Sequence, residues 1–186
     1  MLEAEVKKSR NIVEYVLYMF HTEDVIRSCQ LNLDLIKDSI IEPSGLDEAE
    51  KSELLQWYTL LANQMEQENI EQRGHLSDVI EVLGELSYLH KQLMHVYQDE
   101  EYQNLYRIAH VHIVELSKKA ARASENPIEL AFTGIYGVMT LKLKKEEVFP
   151  ETLEAVQTFR NMLVHLGKKY HALKEGRLRF TRASQN

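Results

Sequence analysis

The chain has 186 residues, 44% of them apolar, with seven glycines and three prolines; this composition suits one globular core and excludes a linker-rich, collagenous or disordered polypeptide. Its formal net charge is -7 and it holds a single cysteine, so an internal disulfide and a paired-cysteine zinc site are both excluded. The charged opening Glu3-Ala4-Glu5-Val6-Lys7-Lys8 lacks the apolar run of a secretory signal. The longest apolar stretch, Leu130 to Leu143, falls short of the roughly 20 residues a membrane-spanning helix needs. A cytoplasmic location and no membrane contact are therefore expected.

In chain order, Ile12, Val16, Met19, Phe20 and Ile26 recur at helical spacing and predict a first helix over about 4–28. A short segment, 33–41, precedes the turn Glu42-Pro43-Ser44-Gly45. Asp47 then opens a third helix, which buries Leu54, Tyr58, Leu61 and Met65 and is expected to reach Arg73, with Gly74 as its stop. Over 76–97 the stripe reads Val79, Leu83, Leu86, His90, Leu93 and Tyr97, with His90 as its polar interruption. A fifth helix, about 100–123, presents Tyr102, Leu105, Ala109, Ile113 and Leu116.

Asn126 followed by Pro127 is an N-cap before the residue best suited to the first helical position, and a sixth helix runs from there to about Lys145. Its apolar residues lie nearly all round, so it should be the most buried of the set. Gly134 and Gly137 each cost it about 0.5–1 kcal/mol relative to Ala, which implies close approach by a neighbouring helix. The last helix starts at Pro150 and ends near Gly176. The fold class read from this pattern is all-α: an antiparallel helical bundle of six long helices plus one short helix. Residues 1–176 are expected to form one domain and 177–186 a polar basic tail.

Familiar catalytic signatures are missing: there is no glycine-rich phosphate or dinucleotide loop, no G-x-S-x-G and no H-E-x-x-H. No E-x-x-H pair of the di-iron bundle type occurs, and none of the eight histidines lies three or four residues from another. No metal or cofactor is expected. The densest polar set beside an apolar stripe is in the first helix, where Tyr18, Glu23, Asp24 and Arg27 cluster. Pairing of Glu23 with Arg27 at i, i+4 is the simpler reading. In a functional one these side chains reach inward towards His75 or His90 and form a ligand-binding site, since burial would perturb their titration.

Several short motifs across the chain carry a resemblance. Asn11-Ile12, Glu14 to Met19, Glu23-Asp24, Ile26-Arg27, Trp57-Tyr58, Gly74-His75-Leu76, Leu89-His90, Tyr136-Gly137, Leu141-Lys142-Leu143 with Lys145, Pro150-Glu151-Thr152 and Lys174-Glu175-Gly176 resemble segments of an uncharacterised bacterial all-α family, a domain of unknown function. The resemblance implies a single helical domain and brings no activity, cofactor or catalytic residue.

The function expected from the residues is that of a non-enzymatic helical-bundle protein that binds a protein partner or forms a homo-oligomer. One alternative is an enzyme or small-molecule binder using Tyr18, Glu23, Asp24, Arg27, His75 and His90. Another follows from the net basic character of residues 142–186 and gives Arg177, Arg179 and Arg182 a nucleic-acid contact. That stretch lacks interleaved aromatics, and cations complementing the negative end of a helix explain it more simply.

Overall fold

The structure is a computed structural model and describes residues 3–119 and 126–178. Those residues form an all-α fold with no strand. In order, the helices are α1 (Glu3–Arg10), α2 (Ile12–Ser28), α3 (Leu33–Ile36), α4 (Glu48–Gln67), α5 (Ser77–Lys91), α6 (Glu100–Lys119), α7 (Pro127–Leu143) and α8 (Pro150–Lys174). Wider π-type turns extend α3 through Lys37–Ile41 and α5 through Gln92–Val96. Arg179 and Arg182 of the basic tail lie outside the described residues.

The helix ends follow local chemistry. Asp47 caps α4 through a reciprocal box, its side chain accepting from the Glu50 amide while Glu50 accepts from the Asp47 amide. Asn126 caps α7 by accepting from the Ile128 amide at 3.0 Å, with Pro127 in the first turn. At the C-terminal ends the chain turns left-handed. Asn69 (φ 56) stops α4, where the Ile70 amide returns to the Met65 carbonyl and the Asn69 amide to that of Glu66. Gly176 (φ 65) ends α8 with the same pair of bonds, from Arg177 to Ala172 and from Gly176 to Leu173. The expected run of the third helix to Arg73 is therefore too long: Asn69 adopts the left-handed conformation first, and Gly74 (φ 102) lies in the following loop.

The expected first helix is also divided. Asn11 separates α1 from α2, and the amide of Ile12, which a continuous helix would satisfy one turn back, donates to Nε2 of His171 at 3.0 Å. No local signal announces that break.

The chain divides into two compact units, Met1–Ser9 with Glu14–Glu81, and Arg10–Val13 with Val82–Asn186. In the first, Val16, Met19, Phe20, Ile26, Ile36, Ile41, Met65, Leu76 and Val79 are buried, and α3 and its π-turn pack on α4. In the second, α6, α7 and α8 pack mutually around Tyr102, Ala109, Phe132, Ile135, Phe159 and Leu163.

Gly134 meets the expectation of close approach, because a Cβ there would stand 2.8 Å from Phe159 Cε2 and 3.1 Å from Leu116 Cδ2. Gly137 does not. It is exposed with open space around it, and with Thr133 it gives α7 a surface face that the sequence pattern conceals. Gly167 of α8 serves the same end as Gly134, since its missing side chain leaves room for Val13 Cγ2, 3.1 Å from where a Cβ would lie.

Candidate functional site

In the first unit, successive turns of α2 aim polar side chains at the segment that joins α4 to α5. The carboxyl of Glu23 is fully buried, at 0% exposure. One oxygen accepts the backbone amide of Leu76 at 2.9 Å and the other lies 2.6 Å from Nδ1 of His75. The imidazole is stacked on Phe20, with ring centroids 3.8 Å apart. Arg27, one turn further on, donates to the carbonyls of Ile70 and Gly74 and to Oδ1 of Asp24.

Those two α2 side chains do for an irregular segment what a helix or sheet ladder would otherwise do. Beyond the Ile70 amide, which still returns to α4, residues 70–76 lie outside any ladder, so their polar backbone groups need other partners. Glu23 supplies an acceptor and Arg27 supplies donors. The guanidinium suits the task because its fork presents several N–H groups in one plane. The expected Glu23–Arg27 pair does not form; Glu23 reaches His75, and Arg27 reaches Asp24 and the loop carbonyls.

Chemically, a carboxyl at Nδ1 orients the imidazole and leaves Nε2 as its other polar atom. His75 is 32% exposed at its side chain, and its Nε2 has no hydrogen-bond partner among the described residues. Of the other residues singled out in the sequence, Asp24 and Arg27 join this network. Tyr18 does not touch it; its ring stacks on Trp57, with centroids 6.0 Å apart, and lines a cleft with Tyr58.

His90 belongs to the second unit, where Nδ1 lies 2.8 Å from the Tyr102 hydroxyl and the ring is edge-on to Tyr102 and Tyr106. Burial, with smaller contributions from His95 and Lys91, lowers its pKa to about 4. It is neutral at pH 7.

The second unit also holds a polar cluster that sequence reading missed. Asp99 caps α6 by accepting the Tyr102 amide at 2.9 Å, and its other oxygen lies 2.6 Å from Nζ of Lys169. Burial alone would raise the Asp99 carboxyl, but the bonds from Lys169 and Tyr102, with the Lys169 charge, outweigh it and hold the group below the usual carboxylate range. His165 stands between two carboxyls, 3.4 Å from Asp99 and 3.4 Å from Glu101. The i, i+4 spacing of His165 and Lys169 was the available clue. Nothing local connects it to Asp99, which lies on the other side of α7 in the chain.

No group of three His, Cys, Asp or Glu side chains with metal-holding geometry occurs among the described residues. Likewise no helix among them is long and apolar enough to cross a membrane.

A family described as a domain of unknown function (DUF4924) matches residues 1–177. The chain belongs to it. No curated protein and no solved structure matches. The DUF4924 match takes in every residue of both polar networks, and its description assigns none of them a role.

Proposed function

We infer that this DUF4924 protein is a non-catalytic cytoplasmic binding protein that works by joining polypeptide to polypeptide. The observation that carries this reading is the apolar surface around the 144–149 connection. Leu143 at the end of α7 is 66% exposed, Phe149 at the start of α8 is 73% exposed and Leu153, one turn later, is 39% exposed.

Single exposed apolar residues are ordinary, but three of this size in and beside one connection, with Lys142, Lys144, Lys145, Glu146 and Glu147 next to them in the chain, have the make-up of an apolar contact with a polar rim. The inner polar groups favour the same reading, since Glu23 and Arg27 are occupied in tying down a loop. The free thiol of Cys29 is buried, which suits a reducing compartment.

A second copy of the chain is the partner most directly tested. Light scattering across micromolar to near-millimolar concentration is expected to show a mass above the 21.7 kDa of one chain, and the double substitution Leu143→Ser, Phe149→Ser is expected to return it to that value. A mass of one chain throughout the range sinks the self-association form of the reading.

A further inference from the structure

Most of the described histidines whose ring nitrogens meet a polar group would keep that partner on taking up a proton. His75, His112 and His165 face carboxyls, which hold an imidazolium at least as well as an imidazole. His90 faces the Tyr102 hydroxyl, which accepts as readily as it donates. His171 is different, because its Nε2 meets the backbone amide of Ile12 at 3.0 Å, and an amide N–H can only donate.

That partner fixes the state of the ring. Nε2 must present its lone pair, so the hydrogen of the neutral imidazole sits on Nδ1, and the position left for a second proton is the lone pair the amide is using. Protonation sets one N–H against another, and the bond is lost. The amide has no bulk water to turn to, since Ile12 is 0% exposed. The side chains of Ile12 and Val13 are seated on α8, 3.5 Å and 3.1 Å from where a Cβ on Gly167 would stand. A buried donor stripped of its acceptor costs more than the bond itself contributed.

Neighbouring charges do not govern this ring. Within one turn on α8 stand Lys168, Lys174 and Glu175; Lys174 is held by Glu85 of α5 and Glu175 by Arg177, and the Tyr170 ring is edge-on to the imidazole. Arg10 and Glu14 are the charges nearest in sequence to Ile12, and Glu14 pairs with Lys7. Burial is what shifts His171, lowering its pKa from the ordinary 6.5, so the second proton is taken up in mildly acidic solution.

We propose that the contact between Ile12 and His171 is an acid-released clasp on the joint between α1 and α2: neutral His171 fastens residues 10–13 to α8, and protonated His171 lets them go. Release has a structural consequence at this point of the chain. Asn11 divides α1 from α2, and the Ile12 amide, once free of the ring, is able to take the Lys8 carbonyl that a continuous helix would use. The clasp does not involve the surface around Phe149 and stands whether or not the chain self-associates.

Two NMR measurements on the full chain test it. At pH 7.5 the imidazole nitrogen resonances of His171 are expected to place the hydrogen on Nδ1. Between pH 7.5 and pH 5, exchange of the Ile12 amide, corrected for its intrinsic rate, is compared in the wild type and in His171→Gln, whose side-chain carbonyl accepts the same N–H and does not titrate. The wild type should lose about three- to tenfold more protection than the variant, the range of one hydrogen bond. Acid effects at His90 are common to both proteins and cancel.

A hydrogen on Nε2 at pH 7.5 overturns the proposal, and that reading needs no variant to fold. Equal losses of protection in the wild type and in folded His171→Gln overturn it as well. So does an imidazole that titrates while the Ile12 amide keeps its protection.

Discussion

The polar networks of the two units serve different kinds of structure. In the first, Glu23 and Arg27 spend their hydrogen bonds on backbone, holding the amide of Leu76 and the carbonyls of Ile70 and Gly74. In the second, Asp99 spends one oxygen on the first-turn amide of Tyr102 and the other on Lys169, so the cluster adds a cap and an ion pair to packing that α6, α7 and α8 achieve through apolar contact. Where the chain leaves helical geometry, polar side chains carry the structure; where helices meet directly, shape does.

Removing Glu23 is the sharpest way to test the first half of that contrast. Glu23→Ala leaves the Leu76 amide and His75 without their acceptor, at an expected cost of about 3 kcal/mol, since breaking a buried polar pair strands the remaining partners. Urea unfolding measures the total, and hydrogen exchange should show the Leu76 amide losing protection first. A change under about 1 kcal/mol would mean that water replaces the carboxyl and that the latch is dispensable.

For the second unit, acid should loosen what burial enforces at His90. With a native pKa of about 4 against 6.5 for the ordinary imidazole, the unfolded chain takes up a proton that the native chain refuses. Stability from this group is present above pH 6.5 and declines as pH falls to about 4, below which both states are protonated. The loss has an upper bound on the order of 3 kcal/mol. Denaturant titrations from pH 7 to 4 should show the decline, and a His90→Asn variant should show a flatter one.

The packing claim has its own paired test. Gly134→Ala forces a methyl against Phe159 and Leu116 and should cost about 1–3 kcal/mol, as overpacked cores do. Gly137→Ala meets nothing within 4 Å and should stabilise α7 by about 0.5–1 kcal/mol, the difference in helix propensity. Equal thermal midpoints for the two variants would remove the claim that α7 and α8 depend on that close approach.

How far the sequence reading extended follows from the range of the interactions involved. The caps at Asp47 and Asn126 and the left-handed stop at Gly176 are settled within a few residues, and they were legible. The stop at Asn69 was less so, because asparagine adopts the left-handed conformation without declaring it as glycine does. Gly134 and Gly137 looked alike in the pattern, yet only the first faces a neighbour. For the candidate sites, Glu23 and Arg27 were recognisable as polar residues beside an apolar stripe, whereas Asp99 was not, because its partners His165 and Lys169 lie beyond α7 in the chain.

The sequence by itself determined that this protein is all-α among its described residues and where most helices begin and end, because those features depend on side-chain periodicity, caps and turn conformations that act over one or two turns. Only the tertiary structure decided which polar groups meet. Glu23 finds His75 across 52 residues, and the amide of Ile12 finds His171 across 159; such contacts are set by how helices dock, and docking is the sum of many weak apolar contacts that no local pattern encodes.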